Sequence, residues 1–337
     1  MDIVALLVAF VSSLLIVLVI MPPLIRKMKE GGMLGPDINK KNRPLVSELG
    51  GIAALFAFSI SLSLVVGFKK IANFTSEPPY LAAISVFFIA AMVGLIDDVS
   101  NIKQRVKAVA ALFASLPLLL VHFGTAVIHL PFGLTISFEG SYVLYLIYWL
   151  VLVPIGVTGL ANAMNMSAGY NGLESGQVAV ISSALFLICI IRGVPDVASV
   201  IFVALIGCSL GLYYFNRFPA RAFVGDIGTL GLGAAMASGV IMGHIEFYGI
   251  IAIAPAFYEA IATIYFGFIK KDMRRREACQ NPIVHEDGSL SPPKGAERYT
   301  LAYLILSIKP LTEKKLVAAL LGCYALSSSV AIILSVV

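Results

Sequence analysis

Three short segments carry side chains that could do chemistry together: Asp97 to Asn101, Asn162 to Gln177, and Asn216 to Asp226. Asp97 and Asp98 are adjacent carboxylates at the end of an apolar stretch. Like charges this close repel, and relief of that repulsion favours a divalent cation or a basic partner. Asn101 and Lys107 follow Asp97 at four and ten residues, so on a continuing helix they fall broadly on one face. The plainer alternative is a solvated loop whose charges flank an apolar span.

In the second segment, Asn162 and Asn165 stand three residues apart, so a helix turns both amides the same way. Gly169 and Gly172 allow a tight turn whose backbone a ligand can approach closely. No Lys or Arg interrupts this segment, although a capped turn between two spans would also account for it. In the third, Asp226 directly precedes an apolar helix. It could cap that helix, or be a metal ligand held rigid by it. Polar groups at a membrane boundary are costly unless used, and three such segments together favour a site.

The elements that position these residues follow from composition. Hydrophobic residues make up 59% of the 337 and charged residues only 13%, where a soluble domain carries about 25% charged. Most of the surface must therefore face lipid. A helix needs about 20 apolar residues to cross the hydrocarbon core. Ten segments approach this, near 3–25, 49–68, 80–96, 107–122, 142–161, 176–191, 197–215, 227–243, 247–269 and 316–336. The eighth is short and rich in glycine (Gly228, Gly231, Gly233, Gly239), which suits close helix packing.

The loops after the odd-numbered spans hold 21 of the 24 Lys and Arg. By the positive-inside rule those loops are cytoplasmic and both termini lie outside. The expected fold is an all-α integral membrane protein with ten transmembrane helices, extracytoplasmic termini and an active site at the cytoplasmic face. Residues 1–337 read as one polytopic membrane domain, with 270–315 as a large cytoplasmic loop. Within that loop, Arg298 to Lys309 could lie on the membrane surface. The net charge of +5 is then a topology signal rather than a nucleic-acid footprint. Cys189, Cys208, Cys279 and Cys323 form no CxxC pair and read as packing residues. The first apolar stretch is too long for a signal peptide and reads as the first span. An outer stretch around Ile128 to Gly133 could form a small hairpin.

Glu259 is the sole ionisable residue near the middle of a span. A functional role is the default for such a carboxylate, yet a protonated or amide-paired structural role is favoured here. His122, His129 and His244 have no ligand spacing. His285, beside Glu286 and Asp287, could touch a substrate or simply sit in a solvated loop.

Taken in order along the chain, the three segments resemble the polyprenyl-phosphate N-acetylhexosamine-1-phosphate transferase family. The stretches Asn39 to Pro44 and Glu48-Leu49-Gly50-Gly51 look like that family's lead into the second span. The resemblance implies catalytic roles for Asp97, Asp98 and Asp226, and magnesium, or manganese in its place, held by Asp226 and Asn165. It implies substrate contacts from Asn101, Lys107 and Asn162, and a uridine-binding turn at Gly169 and Asn171. Glu48 and His285 are further candidates for substrate contact. The implied partners are a UDP-sugar and a polyprenyl or dolichyl phosphate, with membrane lipids around them and no nucleic acid; a homodimer is left open. The turn Ala168 to Gly172 and the run Asn171 to Gln177 look like the dolichol-linked enzymes that use UDP-GlcNAc, whereas Gly225 to Leu230 looks prokaryotic. An archaeal or other prokaryotic cell membrane reconciles the two; a eukaryotic source would imply the endoplasmic reticulum. The large loop departs from the family, with neither the bacterial triple-His nor the eukaryotic His-Arg-Ile-Pro-Arg pattern. Two other classes compete: a secondary transporter, which would place binding groups near the bilayer midplane, and a magnesium-dependent membrane prenyltransferase, which would want a second aspartate-rich cluster.

Overall fold

Apolar runs dominate the chain, and backbone polar groups in lipid must bond within their own segment, so the fold is helical almost throughout. A computed structural model describes residues 2–71, 77–100, 109–122 and 124–337. In chain order its main helices are α1 (Ile3–Glu30), α2 (Gly51–Ile71), α3 (Glu77–Ser100) and the short α4 (Leu116–Val121). Then come α5 (Tyr142–Met166), α6 (Leu173–Arg192), α7 (Asp196–Asn216) and α8 (Gly225–Met242). The chain closes with α9 (Glu246–Ala252), α10 (Ala254–Gly267), α11 (Leu301–Ile308) and α12 (Glu313–Val336).

Among the described residues, eight helices are long and apolar enough to cross a membrane, or nine if α9 and α10 count as one bent span. Those two meet at 70°, with Pro255 in the first turn of α10, where proline removes a donor and kinks the axis. The fourth expected span, 107–122, is described only from residue 109 onward. Its described helix covers only Leu112–Val121, about 15 Å at 1.5 Å per residue against a core of about 30 Å.

Helix α8 is the axis of the bundle, touching α2, α3, α5 and α7. All of Ile227 to Met242 is buried, as expected for a helix that is apolar all round. The expected glycine packing is present: a Cβ at Gly233 would lie 2.8 Å from the Ala161 Cα in α5. Outside α8, α1 lies against α7 and α2, and α12 against α6 and α9.

Both termini lie at one end of the bundle. There Val337 accepts a hydrogen bond from the Phe132 N–H (2.7 Å), on a hairpin pairing Val127–His129 with Thr135–Ser137. The last turn of α3, the loops after α1, α5 and α7 and the stretch before α12 meet at the other end. The large loop is more folded than an interfacial strip. Its strand Ser289–Ser291 pairs with Ile283–Val284 on one side and Leu311–Thr312 on the other, and Ala302, Tyr303 and Leu306 of α11 are buried in an apolar cluster with Leu316 and Leu320 of α12. All four cysteines are free.

Candidate active site

The site is built around the first turn of α8. Gly225 opens that helix at φ +73°, where a side chain is strained, and a Cβ there would stand 3.0 Å from the Asp98 carboxylate. Asp98 sits on the last turn of α3 and caps α8 from outside its own chain segment. Its Oδ1 accepts the Asp226 N–H at 2.9 Å and its Oδ2 the Ile227 N–H at 3.0 Å. These are first-turn donors with no intrahelical partner, at the positive end of the helix dipole. The capping role open to Asp226 thus belongs to Asp98.

Asp226 turns its side chain to α5 instead. The Asn165 Nδ2 donates to Asp226 Oδ1 at 2.6 Å and to Thr229 Oγ1 at 2.9 Å. A third strand of chain closes the cluster. Phe223 N–H donates to Ser47 carbonyl (2.8 Å), and Gly50 N–H to Phe223 carbonyl (2.9 Å), so the first loop is stitched beside the segment leading into α8. Glu48 is thereby held near Asp226. Burial first, and then the Asp226 charge, push its carboxyl above the usual carboxylate range. Asp97 precedes Asp98 on α3, half-buried. Asp98, Asn165 and Asp226, far apart in sequence, therefore converge at one end of the bundle.

The oxygens gathered here are hard donors, carboxylates and the Thr229 hydroxyl, with the amide of Asn165 beside them. They fit magnesium, which takes one or two carboxylates and completes its shell with waters and substrate phosphates. Among the described residues no three His, Cys, Asp or Glu form a metal-holding group by themselves.

Beside this cluster opens a cavity of about 530 Å³, lined in part by Asn39, Gly169, Asn171 and Phe223. Its floor is the turn after α5, several of whose polar backbone groups are held by side chains from other segments. The Gly169 N–H donates to Glu174 (2.9 Å) and its carbonyl accepts from the Asn39 amide (2.7 Å). The Asn171 N–H donates to Glu313 (2.8 Å) and its amide to Asp37 (2.9 Å). The Gly172 N–H donates to Asn216 (3.1 Å). Asp37, Lys40 and Glu313 were not legible as site residues. Each lies in a stretch that reads as ordinary basic loop or helix start, and only their burial reveals them. Across the mouth, Arg43 of the first loop donates to Asn281 of the large loop at 2.9 Å.

Other expected residues fall elsewhere. Asn162 bonds back to the Thr158 carbonyl of its own helix (2.8 Å). His285 lies on the loop hairpin with its ring against Ser291 (2.8 Å), while Gln280 and Asn281 are the large-loop residues that line the cavity. Asn101 and Lys107 lie outside the described residues. Glu259 is structural, as favoured: buried, it accepts the Leu301 N–H at 2.8 Å and so caps α11.

Residues 80–244 match the family profile described as glycosyl transferase family 4. A provisionally named UDP-N-acetylglucosamine–dolichyl-phosphate N-acetylglucosaminephosphotransferase of Saccharolobus solfataricus is 29% identical, over 92% of this chain and 90% of its own length. A phospho-N-acetylmuramoyl-pentapeptide-transferase of Oceanobacillus iheyensis is 30% identical, over 85% of this chain and 90% of its own. One from a Hydrogenobaculum strain is 27% identical, with 92% of both chains covered. With full-length similarity of this kind added to the converged motifs, the chain belongs to glycosyl transferase family 4 and, within it, to the polyprenyl-phosphate N-acetylhexosamine-1-phosphate transferases.

Proposed function

We propose that this protein moves N-acetylglucosamine-1-phosphate, or a closely related N-acetylhexosamine-1-phosphate, from a UDP-sugar to a polyprenyl or dolichyl phosphate and releases UMP. Its relatives are named for transfer to dolichyl phosphate or for the pentapeptide reaction, and its neutral turn at Gly169 to Gly172 favours the first. The convergence of Asp98, Asn165 and Asp226 at one end supports the reading most. That end carries the basic loops, so we place it in the cytoplasm, with ten spans and both termini outside, in an archaeal or other prokaryotic cell membrane.

The chemistry is a single displacement. An oxygen of the lipid phosphate attacks the phosphorus bearing the sugar, the bond from that phosphorus to the bridging oxygen breaks, and UMP leaves with that oxygen. A phosphate monoester has its second pKa near about 6, so the nucleophile is largely dianionic at neutral pH and needs little deprotonation. Magnesium, when bound by Asp226 and Asn165, would offset the diphosphate charge and the charge developing on departing UMP. Asp98 fixes where Asp226 stands by holding the backbone of its turn. Asn165 orients the Asp226 carboxylate from the side. The cavity beside them suits the uridine, with the Gly169 to Asn171 turn as one wall and Phe223 as another. Asp97 is the one candidate for assisting with a proton, and Glu48 for contacting substrate near the metal. The groove of about 380 Å³ between α10 and the 295–298 loop, lined by Tyr258, Ile261, Tyr265, Lys270 and Arg298, offers a path for the isoprenoid tail.

The deciding assay gives purified protein dolichyl or undecaprenyl phosphate, a panel of UDP-sugars and magnesium, and measures UMP. Release of UMP that depends on both substrates is expected. Transport of a solute into proteoliposomes without UMP release would replace the reading with the transporter alternative.

A further inference from the structure

We propose that Glu313, in the first turn of α12, is a positioning residue for nucleotide binding, acting with Lys40 as a latch that fixes the Gly169 to Asn171 turn. The inference rests on the reading of the adjoining cavity as the UDP-sugar site. Glu313 is 2% exposed, unusual for an acid on the first turn of a helix. One oxygen accepts the Asn171 N–H at 2.8 Å and lies 3.4 Å from the Asn39 amide nitrogen. The other pairs with the Lys40 ammonium. Lys40 is held on its second side by Asp37, at 2.8 Å, and Asp37 in turn accepts from the Asn171 amide. The ammonium also lies 4.6 Å from the Phe218 ring centroid.

Three chain segments are thereby locked together: the first loop, the turn after α5 and the last membrane helix. Asn39 and Asn171 both line the cavity, whereas Glu313 stands behind them and holds both. Lys40, between two carboxylates, is committed to the latch rather than to a phosphate. A buried ion pair that loses one partner leaves the other charge uncompensated. Removing Glu313 would therefore release the Asn171 N–H and leave Lys40 with Asp37 alone, loosening the wall against which the nucleotide packs. The metal cluster, held separately through Asp98 and Asn165, would stay in place. The latch should thus act on nucleotide affinity and not on the transfer step.

The test uses the full chain in lipid nanodiscs, measuring UMP binding by calorimetry and steady-state kinetics for both substrates. A hydrogen bond to a charged group is worth roughly a tenfold change in affinity or more. Glu313→Ala should weaken UMP binding on the order of tenfold and raise KM for the UDP-sugar alike. The kcat and the KM for polyprenyl phosphate should stay within about twofold. Glu313→Gln, which can still accept from Asn171, should fall between, and Lys40→Met should reproduce most of its loss. Combining Lys40→Met with Glu313→Gln should add little, as for two halves of one device. UMP affinity unchanged in folded Glu313→Ala, or a loss spread evenly over kcat and both KM values, overturns the proposal. Should Glu313→Ala fail to fold, Glu313→Gln and Lys40→Met decide the matter by the same criteria. Failure of the unaltered protein to bind UMP or use any UDP-sugar would instead sink the assignment of the cavity.

Discussion

Asp98 and Asp226 look alike in sequence, each an acid where an apolar helix meets a loop, yet they do different work. Asp98 spends both oxygens on the backbone of the α8 first turn, while Asp226 faces Asn165. Different substitutions should separate them. Asp226→Asn should raise the magnesium concentration needed for half-maximal activity sharply, read from a metal titration; an unchanged titration would remove it from the metal site. Asp98→Ala should remove a helix cap, at about 0.5–2 kcal/mol of stability. It should also weaken metal activation about 10–100-fold, as loss of a ligand's supporting partner does. Retained metal affinity in a folded Asp98→Ala protein would show that Asp226 needs no such support. Asp97→Asn should keep substantial activity at alkaline pH, where the lipid phosphate is fully dianionic. Complete loss at every pH with both substrates still bound would make Asp97 an obligatory base.

At the scale of elements, α8 can hold its acid in place only because its neighbours approach so closely. A Cβ at Gly94 of α3 would lie 2.3 Å from the Asp226 carbonyl oxygen. That contact is backbone against side chain, so nothing nearby can swing aside. Gly94→Leu should cost roughly 1–3 kcal/mol or more from overpacking and misplace Asp98 relative to Asp226. A lowered melting temperature together with lost turnover is expected. Full activity would mean that α3 can slide along α8 without harm. The bend between α9 and α10 falls at Pro255, in the first turn of α10. The stretch 107–122 has the apolar content of a span, and its described helix covers Leu112–Val121.

For the molecule as a whole, the proposal that the site end faces inward rests on the distribution of Lys and Arg. Cysteine labelling checks this. Lys41, 68% exposed at its side chain beside the first loop, and Phe132, 73% exposed on the hairpin at the far end, are suitable positions. With the half-buried Cys279 and Cys323 replaced, Lys41→Cys should react with an impermeant maleimide only in inverted vesicles and Phe132→Cys only in right-side-out ones. The reverse pattern would place the chemistry outside and undo the cytoplasmic assignment.

Much of this protein is legible in its sequence for a plain reason. Lipid forces long apolar runs, their lengths and the basic loops between them report crossing and sidedness, and acids or amides stranded at span ends stand out against that background. Asp97, Asp98, Asn165 and Asp226 were visible on those terms. Sequence left undecided whether Asp226 caps a helix or faces a partner, and what Glu259 does, because both turn on which backbone N–H lies within about 3 Å. It was silent about Asp37, Lys40 and Glu313, whose residue types are ordinary for a loop and a helix start. Their burial is made by segments more than a hundred residues away folding over them. Local chemistry thus set the membrane-spanning elements and most of the candidate site residues, while only long-range packing chose the partners of each charge.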